Sequence, residues 1–335
     1  MASRREFVRS ATLSTLGATF CMTVPTMRFK DAVAADTRKI GIIGLDTSHS
    51  PAFAQFFNNP ANEAQTRGFR VTAAYPYGSQ LIESSRSRIA GYTEEIKRSG
   101  VRICPSIKSL LSQVDYVLLE TNDGNLHLAQ MREIVRAKKP VFIDKPVAAT
   151  LQDVYSIYDL AREANLPVFS ASSLRYMVKA QQAASGLYGK VLGADTFSPA
   201  TLDQSHTDLY WYGIHGVELL FTVMGPGCKV VQRVSGAETD IVVGTWQDGR
   251  VGIFRGTRNG PHAYGGHVFA DKAVVSLDDY NGNTALLNQI VQFFDTGKAP
   301  VPAEQTLEIY RFMTAADESK KRNGAAVLLA DINPS

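Results

Sequence analysis

The stretch KIGIIGLDTSHSPAFAQFF, residues 39–57, sets a short apolar run (Ile40, Ile42, Ile43) against Gly44 and then a helix-like segment. A buried strand that turns on a glycine into a helix opens a dinucleotide-binding fold, whose fingerprint is G-x-G-x-x-G. Only the first glycine, Gly44, is in place; Asp46 stands at the second position and His49 at the third. The second glycine lets backbone approach a pyrophosphate, and the third lets helix pack closely on strand. At about 5 Å and an effective dielectric of about 20, a carboxylate at Asp46 repels each phosphate charge by roughly 3 kcal/mol. Two things relieve that repulsion: the side chain turning away, or a protonated His49 beside it. In a plainer reading Asp46 and Thr47 only form the turn. Ser50-Pro51 reads as N-cap and first helical residue, which starts the helix late.

Outward from this stretch, residues 38–170 alternate strand and helix signals. Strands are expected at Ile40–Gly44, Arg70–Ala74, Val101–Cys104, Tyr116–Glu120, Val141–Ile143 and Val168–Ser170. Helices are expected at Pro51–Asn58, Ser79–Arg98, Ile107–Gln113, Leu126–Ala137 and Leu151–Ala164. The strands are short and apolar without clean alternation, as when helices cover both faces of a sheet. The fold class is therefore α/β, an N-terminal Rossmann-like doubly wound parallel sheet. After residue 171 the runs are strand-rich (Gly193–Phe197, Val230–Ser235, Asp240–Trp246, Arg250–Thr257, Gly266–Phe269), with a hairpin signal at Asp248-Gly249. Helices over Ala285–Phe294 and Ala303–Lys321 close the chain. That is an α+β domain with a mostly antiparallel open sheet. The expected division is a signal at 1–35, a dinucleotide-binding domain at 36–148 and a substrate and oligomerisation domain at 149–335.

The N-terminus reads as a twin-arginine export signal: Ser3-Arg4-Arg5-Glu6-Phe7-Val8-Arg9, a mildly apolar stretch over 11–27, then Ala32-Val33-Ala34 as a cleavage pattern. Periplasmic or secreted localisation follows. Of the 35 basic and 32 acidic residues, five and two lie in 1–35, so 30 of each remain in the mature chain. The apparent basicity belongs to the signal, which leaves no bulk electrostatic case for nucleic acid or a membrane surface. Cys104 and Cys228 each stand alone in their segments; the reading favours two buried free thiols over a disulfide.

Further residues carry a family likeness. KKPVFIDKP (138–146) looks like a strand followed by Glu-Lys-Pro, with Asp144 for Glu. The segment before it (VLLETNDGNLHLAQ, 117–130) keeps Asn122 and His127 of a strand–Thr-Pro-Asn–x-x-His–helix unit. SSLRY (172–176), Gly189–Gly193 and YGIHGVELLFTVMG (212–225), a Gly-x-His-x-x-Asp helix with Glu218 for Asp, follow in order. Together these resemble the glucose–fructose oxidoreductase, inositol dehydrogenase and MocA (Gfo/Idh/MocA) family over most of 38–330. The resemblance implies hydride transfer between NAD(P) and a hydroxyl carbon of a sugar or polyol. It also implies catalytic roles for Lys145 and His215 around the reacting hydroxyl, and a homo-oligomer formed through the open sheet face. Removing hydride from a carbinol leaves an oxygen that must lose its proton; a neutral imidazole or a lysine can take it, and residual positive charge steadies the alkoxide. In the plainer readings Lys145 is a surface lysine and His215 a satisfied core histidine.

Two departures qualify this. Tyr75-Pro76 stands where an acid for the ribose hydroxyls belongs, whereas Gly78-Ser79 with Arg86 or Arg88 suits a 2′-phosphate, favouring NADP over NAD. Trp211 stands four residues before His215, where many family members have Asp, so Asp208 or Glu218 is the expected replacement partner. The expected cofactor contacts are Gly44, Asp46, Thr47, His49, Tyr75, Ser79, Glu120, Asn122, His127, Asp144 and Lys145. The expected substrate contacts are Arg175, His206, Tyr210, Trp211, Tyr212 and His215, since aromatic faces beside polar groups suit a sugar. His215-x-x-Glu218 with His206 or His49 has metal-ligand spacing that is common by chance, and no metal is expected; His262 and His267 lie in a glycine-rich loop. Three readings stand: a carbohydrate oxidoreductase with tightly held NAD(P), a non-redox acid–base enzyme without nucleotide and with or without a metal, and a sugar-binding protein.

Overall fold

In the computed structural model, residues 38–334 are described; the expected signal peptide lies outside them. Six parallel strands, β1 (Arg38–Ile43), β2 (Phe69–Tyr75), β3 (Arg102–Ile103), β4 (Tyr116–Leu119), β5 (Val141–Ile143) and β6 (Val168–Phe169), form one sheet in the order β3-β2-β1-β4-β5-β6. Ile40, Ile42 and Ile43 of β1 are fully buried, because helices cover both faces. The parallel sheet runs past residue 148, since its last strand is β6.

Helix α1 (His49–Asn58) follows β1, α2 (Gly124–Arg136) follows β4 and α3 (Leu151–Glu163) follows β5. Helix α1 begins at His49, one residue before the serine expected to cap it. Its N-cap is Ser48, and Ser50 turns inward to donate to the Gly44 carbonyl at 2.9 Å. The helix expected over 79–98 breaks into Glu83–Arg86 and Ile89–Arg98, because Ser79 is tied down by hydrogen bonds instead of continuing a helix.

The second sheet has seven strands: β7 (Val191–Pro199), β8 (Cys228–Ser235), β9 (Thr239–Trp246), β10 (Val251–Thr257), β11 (Gly265–Ala270), β12 (Val274–Leu277) and β13 (Val327–Leu328). Their order is β12-β11-β7-β10-β9-β8-β13, antiparallel except for the β7–β10 pair. Asp248-Gly249 makes the β9–β10 hairpin, with Gly249 at φ 84°. Helix α4 (Ile214–Met224) is buried along its whole length and packs on β7 and β10. It approaches so closely that a Cβ on Gly216 would lie 2.4 Å from the Phe254 ring.

Of the two C-terminal helices, the first packs on the first sheet and the second on β8 of the second sheet and on α3. Helix α5 (Thr284–Thr296) places Leu286, Ile290, Phe293 and Phe294 in one apolar cluster with Phe53, Phe69 and Phe169. From α6 (Ala303–Lys321), the Tyr310 hydroxyl accepts from the Val147 N–H at 2.6 Å. Both cysteines are buried and free. No described helix is long and apolar enough to cross a membrane.

Arg233 on β8 is fully buried and bonded to Asp240, Asp208 and Asp317. A buried ion pair is costly to break because the partner is left charged and desolvated. Arg233→Ala is expected to destabilise the fold by about 3–5 kcal/mol in urea unfolding, far more than removal of the exposed Arg162–Asp159 pair, at about 0–1 kcal/mol.

Candidate active site

The site lies where strand order reverses, at the carboxyl ends of β1 and β4, the crevice in which open α/β sheets bind ligands. Gly44 holds φ 98°, and a Cβ there would lie 2.4 Å from the Thr121 backbone nitrogen. Only glycine allows β1 to turn this close to the end of β4. Beyond it the Asp46 carboxylate points inward. It accepts from the Ser79 N–H after β2 and the Asn122 N–H after β4, both at 3.0 Å. Gly78 makes room, since a Cβ there would meet the carboxylate at 2.4 Å. Burial pushes the Asp46 carboxyl up, and these two N–H bonds work against it. The side chain thus turns away from the crevice and joins three strand ends.

His49 opens α1, stacks on Phe53 and holds Asp144 Oδ2 at 2.9 Å through Nδ1. Burial acts to raise the Asp144 carboxyl, but His49 and Lys145 outweigh it and hold it below the ordinary range. Glu120 is fully buried, and neither of its carboxylate oxygens has a partner. Burial first, and Asp144 second, push its carboxyl well above the ordinary value.

A cavity of about 460 Å³ opens over these groups. Thr47, Ser48, His49, Ser84, Arg88 and Asn122 line one end, and Lys145, Trp211, Tyr212 and His215 the other, with Ser173, Tyr264, Tyr280 and Asn283. No carboxylate is among the lining residues, whereas Arg88 and Lys145 are cations. His215 Nδ1 shares a 2.7 Å bond with the Ser172 hydroxyl, leaving Nε2 without a partner among the described residues. Burial, then the charges of Lys145 and His49, keep this imidazole neutral well below the usual histidine pKa. Lys145 Nζ lies 5.9 Å from the centre of the Tyr212 ring.

Of the expected site residues, Thr47, His49, Asn122, Lys145, Trp211, Tyr212 and His215 meet at this cavity; several others serve the frame. Asp208 binds Arg233 and Lys320 and does not partner His215. Glu218 faces Arg175 at 2.6 Å and the Ser172 N–H at 2.7 Å, so neither Glu218 nor Arg175 lines the main cavity. The Glu218–Ser172–His215 chain makes Glu218 an indirect support for the histidine. Tyr210 is buried against Thr314 and Tyr310. His206 is buried, stacks on Trp211 and accepts from the Gly124 N–H. His127 sits between the carbonyls of Thr121 and Val147. Tyr75 stacks on Tyr77, and the Ser79 hydroxyl is held by Asp123, which removes it as a 2′-phosphate ligand. His262 and His267 are exposed, although the His262 ring comes within 5.7 Å of Tyr212. Tyr264, Tyr280, Asn283, Ser84 and Ser173 went unread. Tyr264 has a signal in its place in the glycine-rich loop beside His262, and Ser173 in the SSLRY run; the other three carry no motif.

Residues 38–172 match the model of an oxidoreductase family with an NAD-binding Rossmann fold, Gfo/Idh/MocA. These residues belong to that family. Apo scyllo-inositol dehydrogenase from Lactobacillus casei superposes with TM-score 0.70 at 16% identity, covering 88% of this chain and 99% of the other. Myo-inositol dehydrogenase from the same organism, solved with NAD(H) and myo-inositol, gives 0.67 at 17%, covering 89% and 97%. At such identities the likeness shows a shared fold. Comparison with curated proteins gives no match.

The crevice fits the family's nicotinamide nucleotide, with a changed grip. Gly44 keeps the close approach, Asp46 is turned inward, and the lining is free of carboxylates. The start of α1 is poor in free donors, however. The Ser50 N–H binds the Thr47 carbonyl, Pro51 has none, and the His49 N–H leans on Thr47 Oγ1 at 3.4 Å. Ser48, Ser84, Arg88 and Asn122 are the groups left to hold the diphosphate and adenosine.

Glu120 supplies a test by titration. Its carboxyl is raised in the fold, so the unfolded chain releases this proton first as pH rises past about 4.5. In chelator-treated protein, Glu120→Gln should match wild type below that pH and become the more stable of the two above it. The gain should grow by up to about 1.4 kcal/mol per pH unit until the folded carboxyl ionises, as read by urea unfolding across pH.

Proposed function

We propose that the chain is an exported oxidoreductase acting on a CH–OH group of a sugar or polyol. Lys145 and His215 handle the hydroxyl proton. The observation that carries this reading is their convergence in one cavity, with the imidazole neutral, oriented by Ser172 and open at Nε2. A carbinol oxygen placed between them gives its proton to Nε2, and the Lys145 ammonium steadies the negative charge that develops. When bound, the nicotinamide accepts the hydride. Tyr212, Tyr264, Tyr280 and Trp211 offer apolar faces to a ring, and Ser173 and Asn283 offer polar edges. The family of residues 38–172 and the polyols in the solved relatives support the substrate class. NADP remains preferred over NAD through Arg88 alone, now that Ser79 is occupied. Export rests on the twin-arginine pattern. A homo-oligomer fits the outer side of the second sheet, where Val251 and Phe269, both opposite Gly193, are exposed.

A second reading is favoured by the poverty of free donors at the start of α1. His49, Lys145 and His215 would then serve elimination, epimerisation or hydrolysis of a sugar, without nucleotide.

Protein exported through its own signal should release about one NAD(P) per chain on denaturation, by mass spectrometry, because a folded cargo carries its cofactor out. No nucleotide, together with no binding of added NAD(P) at millimolar levels, overturns the redox reading in favour of the second. Under the first, Lys145→Met and His215→Asn should each lower kcat for polyol oxidation by about 10²- to 10⁴-fold with little change in KM. Replacing Arg4 and Arg5 by lysine should leave the uncleaved precursor in the cytoplasm.

A further inference from the structure

Three carboxylate oxygens beneath the cavity floor are buried without a partner: both oxygens of Glu120 and Oδ1 of Asp144. Buried acceptors of this kind are rare in folded proteins, and an ion or a proton is the usual explanation. They do not stand alone. One atom each from His49, Glu120 and Asp144 lies within 4.8 Å of the others, and His49 Nδ1 is 2.9 Å from Asp144 Oδ2. Ligands bound about 2.0–2.2 Å from a common first-row cation lie about 3–3.5 Å apart, so small side-chain adjustments bring all three to one centre. The three residues come from the ends of three adjacent strands: His49 just after β1, Glu120 after β4 and Asp144 after β5.

Charge points the same way. Asp144 and Asp46 both act on Glu120, and Lys145 is the cation that acts on both Glu120 and Asp144. A divalent cation seated between the Glu120 and Asp144 oxygens offsets the charge of both carboxylates as they bind it. An imidazole with two carboxylates selects borderline cations of the zinc or manganese kind over magnesium, which takes oxygen ligands and keeps its waters. The geometry points to a divalent-metal site formed by His49, Glu120 and Asp144 at the floor of the cavity, taking Zn²⁺ or Mn²⁺. His49 lines the cavity and the two carboxylates lie below it, so the open coordination position faces the ligand, where it would take a hydroxyl or phosphate oxygen. The site is independent of whether the ligand above it is a nucleotide, and it differs from the His215–Glu218 spacing seen in the sequence, whose members are engaged by Ser172 and Arg175.

The exported protein, purified without chelators, is measured for metal by plasma mass spectrometry. It is then stripped and titrated with Zn²⁺ or Mn²⁺ alone. About one ion per chain is expected, with affinity falling at least tenfold in Glu120→Gln and in His49→Gln. Glu120→Gln resembles the protonated side chain and should fold as the stripped wild type does, by circular dichroism, with an unfolding midpoint no lower than that of stripped wild type. Nucleotide content, read on the same samples, scores the redox reading separately. Failure of wild type to bind either ion below about 0.1 mM, or wild-type affinity in Glu120→Gln, overturns the site and leaves a proton on Glu120 as the occupant.

Discussion

The crevice depends on one carboxylate. Asp46 leaves the end of β1 and binds the N–H groups that follow β2 and β4. A parallel sheet gives its strands no mutual support beyond their last ladder bond, so the loops that make a site must be tied by something else. In the glycine fingerprint the tie is close backbone packing around the ligand. Here a side chain supplies it, and Gly78 is required because the carboxylate fills the space of a Cβ. The substitution that looked like electrostatic opposition to a phosphate is a structural clasp, and the crevice surface carries no acidic group.

Behind that surface the acids are numerous, and their burial sets the chemistry above them. Asp144 orients His49, and Glu218 reaches His215 through the Ser172 backbone and hydroxyl. Each histidine is held by a buried neighbour and faces the same cavity, with Lys145 between. For His215 this is the support that a proton-transferring group needs: a bond that holds the ring plane, and burial that keeps the imidazole neutral.

Much of the frame could be read from the residues. All six parallel strands lie where short apolar runs occur, because strands covered on both faces must be apolar throughout. Lys145 and His215 were accessible through motif and spacing. What the sequence hid was direction. Asp46 and Glu120 at strand ends, and Arg175, Asp208 and Tyr210 in later segments, are polar residues in promising places, yet all of them turn inward or serve another pair. Which way a polar side chain turns depends on which N–H groups a distant loop leaves unpaired, and that is a tertiary fact. The broken helix after β2 was hidden for the same reason, since its missing first turn belongs to Ser79 and its ties to Asp46 and Asp123.

Helix α5 completes the apolar layer over one face of the first sheet, although it is encoded more than a hundred residues after β6. During synthesis the six strands must therefore wait, with Phe69 and Phe169 uncovered, for a helix that emerges on the order of ten seconds later. A chain with such an order of events cannot mature piecemeal. Its nucleotide-type domain becomes water-tight only when the last third has been made. A ligand that needs the finished crevice then meets a complete polypeptide and never a nascent one.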